Sequence, residues 1–360
     1  MDRGFFCTAN CAAGPLAPPP AGPKCRGKKD VRSFEAETTG LIRTDAFLRE
    51  QGTGIVAMEA TGAYSMPVFN FFEDLGYQCM LLDPRSVRMV PGRKSDVSDC
   101  MWIRRIVACG LPAECFVPAK EFSALRRMLR TRACTVRERS SAINRIVRCI
   151  REANINLENA VTDVTGKTGK TGKSIIKAIL GGERDPLVLA ELRDDLRKKS
   201  RDEIARCLDG VHTASTVIIL GHHVKDFESK SALVDALDEK IVGCLEELES
   251  PLPVPEDASA AARASRTRKR SSLNDQDRVW TQLVRLCGGV GLTEIPGTSV
   301  LLALVIVSEI GTDMTRWPTV KHFASWPGLS PGSKKSGGKV MSAASRKVRG
   351  PAAHAFIMAG

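Results

Sequence analysis

One apolar stripe in the middle of the chain dictates a long α-helix. Its residues recur at steps of three, four or seven, the spacing of one helix face: Phe122, Leu125, Leu129, Val136, Ile143, Val147 and Ile150. A second helical zone, at about residues 225–248, carries a similar stripe made of Leu233, Leu237, Ile241, Leu245 and Leu248. We expect the two zones to pair as an antiparallel coiled coil, as a dimer seam or as an ordinary intramolecular hairpin.

The opposite face of the first helix is rich in arginine. Its nine arginines are Arg126, Arg127, Arg130, Arg132, Arg137, Arg139, Arg145, Arg148 and Arg151. Only Glu121, Glu138 and Glu152 oppose them, whereas a solvated helix face usually mixes both signs. The whole chain has 53 Lys and Arg against 41 Asp and Glu, a formal charge of +12. This balance predicts a polyanionic partner, and the arginine face predicts contact with a phosphate backbone. Aromatic residues make up only 5%, so base stacking is not the expected mode of binding.

Residues 31–115 alternate between strand and helix patterns. The predicted strands cover residues 31–34, 54–58 and 78–82, and the predicted helices cover 39–51, 67–75 and 96–109. In the first of these helices, Leu41, Ile42, Phe47 and Leu48 are expected to face inward. Strands that alternate with helices indicate an α/β domain with a parallel or mixed sheet.

Three carboxylates stand where such a domain places its active site. Glu59 ends the apolar run Ile55–Met58, and open α/β sheets have their sites at the carboxyl ends of strands. Asp96 and Asp99 are three residues apart at a helix start, so they share one helix face, with Arg93 and Lys94 just upstream. Acids that converge on one spot bind Mg²⁺, and Mg²⁺ held by carboxylates acts on phosphodiesters. The alternative is that the two aspartates are only an N-cap residue and a first-turn acid, which the helix dipole stabilises.

Other segments predict no chemistry. Twelve cysteines are present without a C-x-x-C pair, which favours reduced, packed thiols over a zinc site. No apolar run is long enough to span a membrane, and the first residues lack the apolar core of a signal peptide. Residues 1–29 are expected to be disordered. The repeated Thr-Gly-Lys unit at 165–173 fails the phosphate-loop spacing and is interpreted as a flexible basic turn.

The C-terminal part offers a possible nucleophile. Ser336 lies between Lys335 and the run Gly337-Gly338-Lys339. Glycines let a backbone approach closely, and lysines activate a hydroxyl or neutralise a scissile phosphate. Serine in a glycine-rich loop is more often only a turn residue. The turn Ile295-Pro296-Gly297 enters a helix and is of the kind whose amides hold phosphate.

Taken together, these segments resemble a family of bacterial insertion-sequence transposases. Members have a RuvC-like DEDD domain and a C-terminal serine transposase domain, and are known as bridge-RNA-guided recombinases. The matching segments run in family order over most of residues 30–350: Val56–Tyr64, Val90–Asp99, Gly182–Pro186, Ser308–Met314, Phe323–Gly332 and Ser336–Lys339.

The resemblance implies a fold with four parts. Residues 30–115 would form an α/β RuvC-like (RNase H-like) domain that lacks its first strand, and residues 116–250 a helical coiled-coil region. A basic flexible linker at 251–280 would lead to a small, mostly α C-terminal transposase domain at 281–360. That domain would contain a helix-hairpin-helix-like turn and the serine loop.

The resemblance also implies roles for individual residues. Glu59, Asp96 and Asp99 would be the second, third and fourth acids of the DEDD site and would bind Mg²⁺, and Ser336 would be the nucleophile that forms a phosphoserine link to DNA. Nucleic acid would be contacted by Arg93, Lys94, Arg126, Arg130, Arg137, Lys335 and Lys339. The partners implied are DNA, a guide (bridge) RNA and further copies of the chain in a dimer or tetramer. The location implied is the bacterial cytoplasm, with association to the nucleoid.

Two departures from the family pattern shape the functional hypothesis. The family's first acid lies on an N-terminal strand, in an Asp-Val-His-Lys-like motif that is absent before Val31. The chain also looks truncated at both ends. Because a metal cluster without one ligand loses charge balance, we expect a transposase that is inactive as written. The alternatives are a non-catalytic nucleic-acid-binding remnant or partner of an active transposase, and a junction-resolving nuclease that uses only the acids.

Overall fold

The computed structural model contains two compact units, residues 1–117 and 118–360. It describes residues 7–9, 32–62, 64–88, 96–111, 114–161, 164, 171–192, 200–250, 276–330, 334–337, 339–342 and 350–359. Within these ranges, the side chains of 7–9, 88, 96–99, 334–336 and 340–342 are left aside. The predicted basic turn at 165–170 and most of the predicted linker, 251–275, lie outside the described residues.

The first unit is built around a three-stranded sheet. Its elements are β1 (Cys7–Ala9), α1 (Thr38–Glu50), β2 (Ile55–Glu59), α2 (Ser65–Asp74), β3 (Gln78–Leu82), α3 (Pro84–Arg88) and α4 (Asp96–Ala108). The strand order is β1-β2-β3. β2 is parallel to β3 with Glu59 opposite Leu82, and β1 is antiparallel to β2 with Cys7 opposite Ala57. The predicted mixed α/β arrangement is therefore present.

The two faces of β2 are covered by different helices. Val56 packs with residues of α1 and α2: Leu41, Leu48, Val68 and Phe72. Ala57, which points the opposite way because side chains alternate along a strand, packs with Leu82 and with Ile103, Ile106 and Val107 of α4. The sheet thus has a helix layer on each side, and α4 covers the face to which Ala57 belongs.

Two local expectations for this unit are wrong, and a third, disorder over residues 1–29, is contradicted at the three residues that the structure describes. Ile42 is 56% exposed, while Thr44 is buried and donates its hydroxyl to the Gly40 carbonyl at 2.8 Å. The buried face of α1 follows steps of three and four from Leu41, and Ile42 lies off that line. Residues 32–34 contain only an isolated bridge position at Ser33, not a strand.

The third expectation concerns the N-terminal segment. Residues 1–29 were expected to be disordered, yet Cys7–Ala9 form β1. Pairing with β2 gives both strands backbone hydrogen-bond partners, and this gain does not depend on an apolar sequence pattern. Sequence periodicity therefore could not reveal the strand.

The second unit is mostly helical. Its elements are α5 (Lys120–Glu152), α6 (Leu157–Ala160), α7 (Thr171–Leu180), α8 (Pro186–Glu191), α9 (Arg201–Leu208), α10 (Ala214–Glu247), α11 (Gln276–Leu286), α12 (Val300–Ile310), α13 (Val320–Ser325), β4 (Lys334–Ser336), β5 (Lys339–Ser342) and α14 (Pro351–Ala359). The last residues of the predicted linker, 276–280, are helical because they begin α11.

The two long helices, α5 and α10, pack against each other within the chain. One core joins Phe122, Leu125 and Leu129 at the start of α5 to Ile241 and Leu245 near the end of α10. A second core joins the other end of α5 to the start of α10, through Ile146, Cys149, Ile150 and Leu220. This pairing is antiparallel and corresponds to the intramolecular hairpin among the predicted alternatives.

The buried stripe of α5 differs in part from the predicted one. Phe122, Leu125, Leu129 and Ile150 are buried as expected, but Val136, Ile143 and Val147 are only half-buried. The positions buried in their place follow steps of three, four or seven: Arg132, Thr135, Ala142, Ile146 and Cys149. On α10, Leu233 is exposed and its neighbour Val234 is buried.

Arg132 is the clearest exception to the predicted arginine face. Its side chain is 3% exposed and forms a two-point ion pair with Asp238 of α10, which is 1% exposed. The Arg132 Nε donates to Oδ1 of Asp238, and Nη2 donates to Oδ2 at 3.1 Å. The prediction that Arg132 faces solvent is wrong, because a buried guanidinium is tolerated when a matching carboxylate neutralises it.

We expect Asp238→Ala to destabilise the second unit by about 3–5 kcal/mol, because it leaves the Arg132 charge buried without its counter-ion. Urea denaturation of the full chain, followed by circular dichroism, measures this loss. The double variant Arg132→Met/Asp238→Leu should recover most of it, since both charges are then gone. Glu152→Ala, which breaks the exposed pair with Arg148, is the matched control and should leave the midpoint unchanged. A loss in Glu152→Ala equal to that in Asp238→Ala would contradict this interpretation.

Candidate active site

Glu59 lies at the carboxyl end of β2, as predicted. The chain turns directly after it: the Ala60 amide donates to the Leu82 carbonyl at 3.0 Å, and the Thr61 hydroxyl donates to the Glu59 carbonyl at 3.1 Å. Gly62 completes the turn with φ of 59°, a left-handed conformation that favours glycine. The Ala-Thr-Gly run after Glu59 therefore fixes the backbone that carries the acid.

α4, which begins with the two predicted aspartates, packs against the face of β2 to which Glu59 belongs, through Ile103, Ile106 and Val107. Glu59 is two residues beyond Ala57 and so belongs to the same face of β2, the face against which α4 packs. α4 begins at Asp96, and Asp99 follows in its first turn. The structure thus places Glu59 at the end of β2, and Asp96 and Asp99 at the start of the helix that packs against β2. Arg93 and Lys94 lie outside the described residues.

Asp83 follows β3 at the same edge of the sheet as Glu59, but its hydrogen bonds stabilise the start of the next helix. Its carboxylate accepts from the Arg85 amide at 3.2 Å, and its carbonyl accepts from the Val87 amide at 3.1 Å. These bonds start α3.

The segment at Glu114 and Cys115 pairs with the end of β3. Glu114 forms a bridge to Leu82, and the Cys115 amide donates to the Leu81 carbonyl at 2.6 Å. Burial, with a contribution from Asp83, raises the pKa of the Cys115 thiol.

The donor set fits a hard divalent cation. Glu59, Asp96 and Asp99 supply only carboxylate oxygens, the ligands that Mg²⁺ prefers. Among the groups that the structure describes, no cluster of three or more His, Cys, Asp or Glu is arranged to hold a metal ion. A metal site made of these three acids would therefore need the side chains of Asp96 and Asp99, at the start of α4.

Ser336 lies at the end of a tight β-hairpin. β4 and β5 are antiparallel, with Ser336 opposite Lys339 and Lys335 opposite Val340. Only Gly337 and Gly338 connect the strands, and Gly337 has φ of 55°. Two-residue hairpin turns need positive φ values, which is why Gly-Gly is suited to them. The predicted glycine-rich serine loop is a hairpin whose turn directly follows the serine.

Two arginines predicted to bind nucleic acid are held by an acid that the sequence analysis gave no role. Glu309 of α12 is 4% exposed. Arg130 donates to it at two points, Nε to Oε1 and Nη2 to Oε2, both at 2.8 Å. The Arg126 Nε lies 2.8 Å from Oε2, and burial lowers the Arg126 pKa. One buried carboxylate therefore ties both arginines of α5 to α12.

A sequence signal for Glu309 existed. α12 reads Val300–Ile310 and contains one charged residue, Glu309, among apolar ones. A carboxylate in such a helix needs a cationic partner when it is buried, and α5 is the arginine-rich candidate. The spacing of residues alone did not say which arginines would meet it.

The remaining arginines of α5 divide into paired and unpaired ones. Arg145 pairs with Asp226 at 3.3 Å, Arg148 pairs with Glu152 at 3.0 Å, and Arg151 pairs with Glu158. Arg137 is exposed, and within the described ranges no ion pair to it is seen. Among Arg126, Arg130 and Arg137, it is therefore the residue most accessible to a phosphate backbone.

Two further predicted motifs serve the fold. In Gly182–Pro186, the Asp185 carboxylate accepts from the Leu187 amide at 2.9 Å and caps α8. At the turn Ile295-Pro296-Gly297, Gly297 has φ of 85°, and a Cβ there would approach the Ala359 carbonyl oxygen to 2.6 Å. Both the left-handed backbone and the close approach of α14 require glycine at this position.

An α/β unit with acids at its sheet edge, joined to a basic helical unit with a serine hairpin, has the features of enzymes that process nucleic acids. Comparison with known families makes the class specific. Residues 22–155 match the DEDD domain of IS110-type elements, described as a transposase, and residues 291–359 match the transposase IS116/IS110/IS902 family. The chain thus contains IS110-family transposase domains at both ends.

These matches have direct consequences. The DEDD transposase domain implies a RuvC-like fold, and transposase domains imply DNA as the substrate. No curated protein matches the chain. None of the helices in the described ranges combines the length and apolar character that crossing a membrane requires.

Replacing Glu309 by glutamine should destabilise the second unit by about 2 kcal/mol, because the half-buried Arg126 then lacks its carboxylate partner; the loss is smaller than for a fully buried pair. The thermal unfolding midpoint of the full chain measures the change. Glu246→Gln is the matched control, since Glu246 pairs with Arg278 at the surface and exposed pairs contribute little. If both variants melt alike, the buried cluster does not hold α12 to α5.

Proposed function

We propose that this chain is a Mg²⁺-dependent, RNA-guided DNA transposase that breaks and rejoins strands through Ser336. The single observation that carries the proposal is the packing of α4 on the face of β2 to which Glu59 belongs. This packing supports a shared site for Glu59, Asp96 and Asp99. The two transposase domains found in the chain support the reaction class.

The serine hairpin supports the covalent part of the proposal. In the breakage step, the Ser336 oxygen forms a bond to phosphorus and the bond from phosphorus to the leaving deoxyribose oxygen breaks. The serine loses its proton and the leaving oxygen takes one up. Rejoining reverses these changes with a new DNA hydroxyl, so no external energy source is required.

Glu59, Asp96 and Asp99 would hold the metal ion. Bound there, Mg²⁺ supplies positive charge that stabilises developing charge on phosphate oxygens. The protein's part is to fix the carboxylates: the turn after Glu59 sets one, and the apolar packing of α4 sets the backbone that carries the other two.

RNA guidance and oligomer formation complete the proposal. The positive charge of the chain and the accessible Arg137 suit contacts with nucleic-acid backbones, which carry no sequence information. A guide RNA would then choose the DNA sequence by base pairing, as in other RNA-guided systems. A dimer or tetramer would bring the serine of one copy of the chain and the acids of another copy to the same DNA.

The inactivity that the sequence leads us to expect corresponds to a second candidate: a non-catalytic nucleic-acid-binding protein that acts beside an active transposase. One observation favours it: β1, the strand next to β2, consists of Cys7, Thr8 and Ala9 and carries no carboxylate. If the first of the four DEDD acids is missing from the site, the chain would bind DNA without cutting it.

Ser336→Ala should lower strand breakage at least about a thousandfold and abolish the covalent protein–DNA adduct, since the attacking oxygen is removed. The assay incubates purified full chain with insertion-sequence DNA ends, guide RNA and Mg²⁺, and detects the adduct by denaturing gel. Ser333→Ala, three residues earlier, is the control and should retain activity. Breakage that survives Ser336→Ala but requires Glu59 and Asp99 would instead identify a junction-resolving nuclease.

Removing divalent metal with a chelator should stop strand breakage, and added Mg²⁺ should restore it in the wild type but not in Glu59→Gln. DNA binding, measured by gel shift in the same samples, should persist in both proteins. A chain that binds DNA under all conditions and never forms the adduct would support the non-catalytic candidate.

A further inference from the structure

The serine hairpin distinguishes two lysines that look equivalent in the sequence. Lys335 precedes Ser336 directly, and Lys339 follows it by three residues. In the ladder, however, Ser336 is opposite Lys339, whereas Lys335 is opposite Val340. Directly opposed residues of an antiparallel pair belong to the same face, and successive residues belong to opposite faces. By register, Lys339 shares a face with Ser336 and Lys335 does not.

The turn makes this register the favoured one. The connection is two residues long, and Gly337 has the left-handed φ of 55° that such short hairpins require. The irregularity in the ladder lies between Lys334 and Lys335, on the side away from the turn. The pairing of Ser336 with Lys339 is therefore set by the turn itself.

From this register we infer that Lys339 binds the phosphate that Ser336 attacks, while Lys335 contributes only general attraction to DNA. The inference rests on the proposed function, in which Ser336 is the nucleophile. Opposed residues have Cβ atoms about 5 Å apart, a spacing that one phosphate group bridges. Lys339 is exposed, so a DNA backbone can reach it. A lysine ammonium is a compact charge with three donors, suited to phosphate oxygens.

Lys339 takes part in the breakage step as a cation and transfers no proton. As the bond from Ser336 to phosphorus forms and the bond to the leaving oxygen breaks, negative charge grows on the non-bridging oxygens. A positive group fixed next to them stabilises the transition state more than the bound DNA. The effect of Lys339 should therefore fall on the rate of the step at saturating DNA, not only on affinity.

The test compares Lys339→Gln with Lys335→Gln in the full chain. We expect Lys339→Gln to slow adduct formation at saturating DNA about a hundredfold, the range seen when one transition-state donor is removed. Lys335→Gln should weaken DNA binding a few-fold and should lower the saturated rate far less than Lys339→Gln does. Lys339→Arg keeps the charge and should restore part of the rate. Thermal unfolding of each variant confirms that the hairpin substitutions leave the chain folded.

A modified DNA gives a second, independent measurement. A methylphosphonate at the attacked position removes the charge from a non-bridging oxygen, so wild type and Lys339→Gln should react with it at similar rates. Equal rates for Lys339→Gln and Lys335→Gln on ordinary DNA would overturn the inference and leave the proposed function intact. A wild-type chain without adduct, or an adduct that persists in Ser336→Ala, would overturn the proposed function and the inference with it.

Discussion

The second unit depends on how α5 neutralises buried charge. This helix supplies an apolar stripe to two cores, yet it also carries Arg132 into the interface with α10 and Arg126 towards α12. The buried Arg132 and the half-buried Arg126 each meet a carboxylate from another element: Asp238 in one case and the buried Glu309 in the other. The apolar contacts hold these helices together, but the charge pairs favour one alignment, since any shift along α5 would leave a charge buried alone.

Much of the fold follows from sequence periodicity. β3 was predicted with its observed bounds, and α4 begins at its predicted start, because apolar runs and steps of three and four reflect burial directly. Arg132 and Glu309 were beyond that reasoning. Arg132 meets Asp238 across 106 residues of sequence and Arg130 meets Glu309 across 179. No local pattern tells a paired arginine from a solvated one.

The sequence predicted which residue types form the candidate site, but it predicted their spatial arrangement less well. Glu59 at a strand end and the aspartates at a helix start are local features, and the structure places them on neighbouring elements. The relation between Ser336 and Lys339 is different, because it depends on the number of residues in the turn and not on their distance along the chain. A lysine next to the serine in sequence lies on the other face of the hairpin. Chemical interpretation of such loops therefore needs the ladder register.

The length of α5 has a geometric consequence. At 1.5 Å per residue, its 33 residues make a rod of about 50 Å. A DNA duplex rises about 3.4 Å per base pair, so the rod equals about fifteen base pairs of it. Because a separate core anchors each end of α5, the rod cannot shorten without unfolding one of them. A duplex laid along the whole length of α5 would therefore be in register with it for about one and a half turns.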